Sequence, residues 1–143
     1  MTDRIVEMLR VIPSLSGCSD RELKKLVRLV DVVELAPGSE LIHQGRYDRQ
    51  AFVIVDGKAD VIIEREVVAT LGAGDFAGEI TMLIGGPRTA TVRATTPMTV
   101  LVMGQATFGS FISNEAVSPS LAAQLARKLR AADVGYREAA TAH

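Results

Sequence analysis

The residues best suited to chemistry lie in one short stretch, which runs from Gly74 to Ala94 and reads GDFAGEITMLIGGPRTATVRA. It contains a Gly78–Glu79 pair and, nine residues after the acid, Arg88. A Gly-Glu turn at the start of a short helical segment leaves backbone N–H groups that can hold an anion. Arg88 adds a planar, permanently charged guanidinium that suits a phosphate, whereas ionised Glu79 only accepts hydrogen bonds and suits a sugar hydroxyl. This pairing predicts a nucleotide-binding loop.

The same stretch resembles the phosphate-binding cassette of the cyclic nucleotide-binding domain family. That family includes catabolite activator protein, the regulatory subunits of cAMP-dependent protein kinase and cyclic-nucleotide-gated channels. Residues 35–45 (LAPGSELIHQG) resemble the family's first strand and turn, and residues 52–59 (FVIVDGKA) resemble its next strand and glycine turn. In the family's order, the resemblance covers roughly residues 14–130.

The resemblance implies a set of ligand-binding residues in two short segments, namely Gly78, Glu79, Ile80 and Thr81, then Arg88, Thr89 and Ala90. By resemblance Glu79 binds the ribose and Arg88 the cyclic phosphate. Thr89 is expected to touch the phosphate and is able to reach a purine amino group, and its alternative is an ordinary β-branched strand residue. Thr81 departs from the family, which usually carries a smaller alanine there.

Each of the three main residues also has a purely structural interpretation. Arg88 could be a surface strand residue that pairs with an acid such as Asp75 or Glu79. Glu79 could be an acid that only favours the helix dipole, and Gly78 could be only a turn glycine. The absent Cβ of Gly78 would also let the backbone approach a ligand closely, so both interpretations of this residue can hold together.

Other candidates for the pocket are less specific. Arg127 and Arg130 could close over the base as a C-terminal lid, or they could be solvated helix charges. Val53, Val61 and Ile63 alternate in a way that could line the base pocket, but the interior of any barrel needs such residues. Core packing is therefore the preferred interpretation of these three.

Composition excludes several other functions. The chain has 143 residues, a net charge of −1 without a basic face, and no apolar run of the roughly 18 residues needed to span a bilayer, so neither nucleic acid nor membrane is an expected partner. A single Cys18 fits a reducing cytoplasm. The only histidines are His43 and His143, too few for a His-rich metal site, and no nucleophile motif is visible. We expect neither an enzyme nor a bound cofactor.

The elements that must position these residues fall into three zones of one domain, 1–143. Residues 1–31 are helical by pattern, with Ser19 and Glu22 in capping-box spacing. Residues 32–104 are β-branched runs cut by turns, and they contain the cassette at 74–91. Residues 105–134 return to helix, and 135–143 form a tail.

These zones predict a mainly β fold with flanking helices. We expect an antiparallel β-barrel or jelly roll with N-terminal helices and a C-terminal lid helix. The predicted strands are 32–35, 40–44, 51–55, 58–63, 66–71, 88–95 and 98–103.

The leading functional hypothesis is a cytoplasmic regulatory domain that senses a cyclic nucleotide, cAMP in preference to cGMP, without turning it over. By resemblance, the ligand rearranges the C-terminal helix. The alternatives are an interaction module with a degenerate pocket, or a regulatory fragment of a larger kinase, channel or acyltransferase. A DNA-binding regulator is not favoured, because residues 131–143 are too few for a helix-turn-helix. An unidentified protein effector, or a second copy of the chain, is a candidate partner.

Overall fold

Two helices, eight strands and a third helix follow one another in the computed structural model, which describes residues 2–10, 15, 17–78 and 85–112. In chain order they are α1 (Thr2–Arg10), α2 (Asp20–Leu29), β1 (Asp31–Leu35), β2 (Glu40–Ile42), β3 (Ala51–Asp56), β4 (Ala59–Ile63), β5 (Glu66–Leu71), β6 (Phe76–Ala77), β7 (Thr91–Ala94), β8 (Met98–Met103) and α3 (Gln105–Ile112). No helix within this part of the chain is both long and apolar enough to cross a membrane.

The start of α2 is fixed by the predicted capping box. The Ser19 hydroxyl accepts a hydrogen bond from the Glu22 backbone N–H at 3.2 Å, and the Glu22 carboxylate accepts one from the Ser19 N–H at 3.1 Å. Two N–H groups that the first helical turn would leave unpaired are thus satisfied. From there the helix presents Leu23, Leu26 and Val27 to the core, as the helical spacing predicted.

The strands form two antiparallel four-stranded sheets. The first sheet has the order β1-β8-β3-β6 and the second β2-β7-β4-β5. The mainly β jelly-roll prediction is confirmed, but the sheets are open and do not close into a barrel. Each described sheet ends in two edge strands, and the alternation of residues along a strand does not reveal whether those edges pair.

Strand β3 is a continuous apolar run, and both of its faces are covered. Ala51, Val53 and Val55 face the helices and belong to one core cluster. Phe52 and Ile54 face the second sheet and belong to another. A strand with both faces covered reads as uninterrupted apolar sequence.

The packing separates the residues proposed to line the base pocket. Val53 packs under the helices, so it does not face the space between the sheets, whereas Val61 packs against the inter-sheet cluster. Ile63 is half-buried. The core-packing interpretation thus holds for Val53 and Val61.

Element boundaries differ from the prediction at several places. Strand β6, two residues long, was not predicted because so short a segment has no detectable period. Strand β2 ends at Ile42 rather than at residue 44, and β7 begins at Thr91 rather than at residue 88. Helix α3 begins at Gln105, where the predicted C-terminal helical zone begins. The Pro13–Ser14 pair, where proline is expected to break the N-terminal helical zone, and the residues from 113 onwards, including the predicted final helix and tail, lie outside the described residues.

Two connections between the sheets define the neighbourhood of the cassette. The chain leaves the second sheet at the end of β2, passes through residues 43–50 and enters the first sheet at β3. It later leaves the first sheet at β6 and enters the second at β7. We call residues 43–50 the β2–β3 connection. Arg88 lies in the second of these connections, directly beside the first.

Candidate anion-binding site

Arg88 is a buried cation at the junction of the two sheets. Its side chain is 2% exposed, and one terminal nitrogen forms an ion pair with Asp48, whose side chain is 39% exposed. The same nitrogen, Nη2, donates to the Gln50 carbonyl at 2.5 Å, and Nη1 donates to the Gly78 carbonyl at 2.9 Å. A buried guanidinium must be compensated in this way, because its removal from water without partners costs several kcal/mol (about 3–5).

The backbone of Arg88 is held as firmly as its side chain. Its N–H donates to the Arg46 carbonyl at 2.8 Å, and its carbonyl accepts from the Gly45 N–H at 2.9 Å. Both partners lie in the β2–β3 connection. Two segments more than forty residues apart in sequence are therefore joined at this arginine through main chain and side chain together.

Gly78 allows the arginine to reach the β6 end of the cassette. It has a φ of +81°, and a Cβ built at this residue would lie 2.6 Å from Arg88 Nη1 and 2.7 Å from the Gln50 carbonyl oxygen. Both separations are shorter than any side-chain contact allows, and the second involves backbone that cannot rotate aside. The sequence suggested close backbone approach at Gly78, and the structure places the arginine's own anchor there.

The three residues after Arg88 differ in exposure. Thr89 is exposed, whereas Ala90 and Thr91 are buried. The Thr91 hydroxyl accepts a hydrogen bond from the Gln44 backbone N–H at 3.0 Å. Of the two threonines, Thr91 is thus used by the fold, while Thr89 presents its side chain to the surroundings of the site.

The predicted site residues are described only in part. The described residues include Gly78, Arg88, Thr89 and Ala90. Among these, the Gly78 carbonyl accepts a hydrogen bond from the Arg88 guanidinium. Outside the described residues lie the predicted ribose acid and its neighbours, Glu79, Ile80 and Thr81, and both lid candidates, Arg127 and Arg130. Their assignment stays a prediction.

The acid that pairs with Arg88 was missed by sequence reasoning. The surface-strand interpretation proposed Asp75 as a pairing acid, but the Asp75 carboxylate accepts from the Gly72 N–H at 2.8 Å. The acid beside Arg88 is Asp48, forty residues earlier in the chain. The only signal was an acid within the polar run that follows Gly45, and nothing local indicates which cation it meets.

Groups away from Arg88 offer no second chemistry in the residues that the structure describes. Among them, no three His, Cys, Asp or Glu side chains are grouped to hold a metal ion. The His43 ring lies 3.0 Å from the Glu40 carboxylate. Burial, followed by the charge of Glu22, raises the pKa of the Cys18 thiol, which keeps it protonated and unreactive at neutral pH.

Comparison with known proteins decides the family. A model of the cyclic nucleotide-binding domain matches residues 32–115, more than half of the chain. This chain belongs to the cyclic nucleotide-binding domain family. The matched range contains the β2–β3 and β6–β7 connections, so Arg88 and Asp48 lie inside the matched domain.

Several relatives of this chain are regulatory subunits of cAMP-dependent protein kinases. The cAMP-dependent protein kinase regulatory subunit of Schizosaccharomyces pombe is 32% identical over 108 residues, which are 75% of this chain and 26% of that protein. The chain spans about a quarter of the length of the curated relatives it matches. Its similarity to these subunits is therefore similarity to one part of each.

Solved structures of the family share the fold. The cAMP-bound structure of PfPKA-R has a TM-score of 0.79 at 20% identity, over 97% of this chain and 47% of that one. The regulatory subunit of a cAMP-independent protein kinase A from Trypanosoma brucei has a TM-score of 0.73 at 25% identity, over 84% and 45%. A triple mutant of the trypanosome protein, bound to cAMP in its A site, has a TM-score of 0.71 at 26% identity, over 84% and 47%.

Proposed function

We propose that this chain is a regulatory domain that binds a cyclic nucleotide, with cAMP favoured over cGMP, and that Arg88 holds the cyclic phosphate. The observation that carries the proposal is the buried guanidinium of Arg88, oriented by Asp48 and by the carbonyls of Gln50 and Gly78. A phosphate monoanion matches such a fork in charge and in geometry. Water exclusion at this depth strengthens the attraction.

The neighbouring residues fit the rest of a cyclic nucleotide. Thr89 is exposed beside Arg88, and in this proposal its hydroxyl contacts the phosphate or the base edge. Glu79, next in sequence to Gly78, supplies the acceptor for a ribose hydroxyl. In this proposal the domain binds the ligand without turning it over.

The relatives support cAMP as the ligand and also show why a test is needed. The S. pombe protein is a cAMP-dependent kinase subunit, and the trypanosome subunit belongs to a cAMP-independent kinase. The cAMP-bound mutant of the latter carries three substitutions, one of which replaces a threonine with arginine. This chain has an arginine, Arg88, in its predicted cassette.

The proposed output follows the same resemblance. Ligand at Arg88 rearranges the C-terminal helix, in which Arg127 and Arg130 are the lid candidates, and so alters contact with a protein effector or a second copy of the chain in the cytoplasm. A ligand drives such a change only through its different affinities for the two conformations.

A second candidate is an interaction module whose nucleotide pocket is degenerate. The ion pair between Arg88 and Asp48 favours it, because an internal carboxylate already lies against the guanidinium. In this case the anion site is a structural element and the surface of the domain carries the function.

Calorimetric titration of cAMP and then cGMP into nucleotide-stripped protein distinguishes the two candidates. We expect saturable one-to-one binding of cAMP, weaker binding of cGMP, and still weaker binding of 5′-AMP, whose open phosphate carries a different charge and shape. A folded protein that gives no heat with either cyclic nucleotide would exclude the sensor and leave the interaction module.

A further inference from the structure

The turn between β4 and β5 has an unfavourable backbone conformation. Glu64 and Arg65 form this two-residue connection, with φ angles of +51° and +71°, between the paired residues Ile63 and Glu66. A two-residue hairpin turn of type I′ needs positive φ at both central residues, and asparagine or glycine usually occupies them. Side chains with a Cβ adopt this region only at a free-energy cost. Contacts elsewhere must therefore hold the turn.

Gln44 supplies two of those contacts through a single side-chain amide. Its Nε2 donates to the Glu64 carboxylate at 2.8 Å, and its Oε1 accepts from the Glu64 backbone N–H at 3.2 Å. The amide therefore binds both the side chain and the main chain of the first turn residue. This reciprocal pair joins the β2–β3 connection to the hairpin across twenty residues of sequence.

The main chain of the same residue contacts the arginine segment. The Gln44 N–H donates to the buried Thr91 hydroxyl at 3.0 Å, and the next residue, Gly45, donates its N–H to the Arg88 carbonyl at 2.9 Å. Gln44 thus lies between the anion site on one side and the strained turn on the other. Four hydrogen bonds therefore connect residues 88–91 to Glu64 by way of Gln44 and Gly45.

We propose that Gln44 is a positioning residue that couples occupancy of the anion site at Arg88 to the conformation of the β4–β5 turn. A phosphate bound at Arg88 fixes residues 88–91, which fixes the Gln44 backbone and holds its amide against Glu64. The affected strand, β5, is an edge of its sheet and exposes Val67 and Val68, at 58% and 54%. Ligand binding is in this way reported at an apolar edge of the domain.

Coupling of this kind is reciprocal. If cAMP stabilises the closed turn, then loosening the turn weakens cAMP binding by the same factor. One side-chain amide that makes two hydrogen bonds to a largely exposed partner supports an effect of about three- to tenfold in affinity. The inference rests on the proposed function, since cAMP is the ligand used to occupy the site.

The first experiment compares hydrogen exchange of the β4–β5 turn amides with and without saturating cAMP. In the parent protein we expect cAMP to slow exchange at Glu64 and along β5. In Gln44→Ala the slowing is lost although the site is saturated. Gln105→Ala, which alters an exposed glutamine at the start of α3, is the matched control and retains the slowing.

A second comparison separates the coupling from relief of backbone strain. Glu64→Gly and Arg65→Gly each relieve the backbone strain of one positive φ in the same turn, because glycine adopts that conformation without cost. Only Glu64→Gly also removes the carboxylate that Gln44 contacts. We expect the former to weaken cAMP binding about three- to tenfold and the latter to leave it unchanged. Equal effects of the two would overturn the proposal.

An exchange of the two groups guards against a simple folding defect. Gln44→Glu alone places two carboxylates together and breaks the coupling. The double variant Gln44→Glu with Glu64→Gln restores an amide opposite a carboxylate, and we expect it to recover both affinity and exchange slowing. Failure of the parent to bind cAMP would sink both proposals, whereas binding with undiminished slowing in Gln44→Ala would sink the coupling alone.

Discussion

Two clusters of charged residues lie beside the paired strands β2 and β7 and differ mainly in burial. Arg88 with Asp48 is the buried cluster, and its guanidinium is almost wholly enclosed. Arg93 with Glu40 and His43 is the exposed cluster, in which the arginine side chain is 49% exposed and lies 3.2 Å from the carboxylate. Both contain an arginine, an acid and short contacts.

The difference shows what makes a charge available for function. An exposed ion pair is solvated whether or not it forms, so it contributes little to stability or binding. A buried guanidinium must be compensated by fixed partners, and those partners orient it for an incoming anion. Both clusters pair an arginine with an acid. The burial of the arginine is what distinguishes the candidate site from the surface contact.

The largest expected effect comes from removing the two arginines in turn. Arg88→Ala should weaken cAMP binding by about 3–5 kcal/mol, or roughly 100- to 3000-fold, because the phosphate loses its buried counter-charge. Arg93→Ala should leave the affinity unchanged. Calorimetry of both variants with cAMP makes the measurement.

Folding must be separated from binding in this comparison. Arg88→Lys keeps the charge but not the planar fork, and we expect its affinity to fall between that of the parent and that of Arg88→Ala. Thermal unfolding without ligand identifies any variant that has not folded. If folded Arg88→Ala bound cAMP as tightly as the parent, the site would have been assigned to the wrong residue.

The next effect tests how closely the buried cluster is packed. Gly78→Ala and Gly38→Ala both place a side chain at positive φ, +81° and +89°, but only the first meets atoms within 4 Å. Each should lose about 1–2 kcal/mol of stability from backbone strain. Only Gly78→Ala should also displace Arg88 and weaken cAMP binding, by about tenfold or more.

Comparison of these two glycine variants by calorimetry and thermal unfolding decides the point. A loss of stability in both variants, larger in Gly78→Ala because its Cβ also meets Arg88 and the Gln50 carbonyl, with a loss of affinity in Gly78→Ala alone, is the expected pattern. Equal affinities in the two variants would mean that the approach of Gly78 to Arg88 has no part in ligand binding.

A smaller effect concerns the acid of the buried cluster. Asp48→Asn removes the negative charge beside Arg88 and should lower the free energy of unfolding of the ligand-free protein by about 1.5–3 kcal/mol, the range for hydrogen bonds to charged groups. The range is taken below that of a fully buried pair because Asp48 is partly exposed. Saturating cAMP should recover part of this loss, since its phosphate supplies a new counter-charge.

Glu40→Gln is the matched variant in the exposed cluster, and chemical denaturation with and without cAMP measures both. We expect Glu40→Gln to be close to the parent in stability. A loss as large as that of Asp48→Asn would show that burial is not what distinguishes the two clusters.

The two clusters also show where sequence reasoning succeeds and where it fails. Arg88 was predicted as an anion-binding residue from a local signal, an arginine nine residues after the acid of a Gly-Glu pair. The structure shows that Arg88 is buried, and its role in binding an anion stays a prediction. The capping box at Ser19 and Glu22 was local in the same sense and is confirmed. Asp48 was missed, because its contact with Arg88 exists only once the two inter-sheet connections lie side by side.

The open sheets were missed for a related reason. The alternation of residues correctly predicted that these segments, each eight residues or shorter, are β-strands. Closure of a barrel depends on whether the edge strands pair with each other. The side chains along one strand do not show whether that pairing occurs. The role of Gln44 was likewise invisible. Its two hydrogen bonds to Glu64 join segments that are twenty residues apart in sequence. Only the positive φ angles of Glu64 and Arg65 show that the β4–β5 turn needs support.

The smallest predicted effect is a pH dependence confined to the exposed cluster. A hydrogen bond from His43 is the main cause that holds the pKa of the Glu40 carboxyl below its ordinary value; desolvation opposes it, and a hydrogen bond from Arg93 lowers the pKa further. Because the pKa is lower in the folded state, the ionised carboxylate stabilises the fold. That contribution is complete above the unfolded-state pKa, about 4.3, and is lost as the pH falls through the lower folded-state value.

Thermal unfolding of the parent and of Glu40→Gln between about pH 3 and 7 measures this contribution. Any advantage of the parent should be present at neutral pH, decrease below about pH 4, and decrease also with added salt, because exposed charges are screened. Affinity for cAMP should not follow this titration, since the described ion pairs of the exposed cluster join its own residues, Glu40, His43 and Arg93. An advantage that grew as the pH fell would contradict the sign argued for Glu40, and an affinity that fell in parallel would tie the exposed cluster to the site after all.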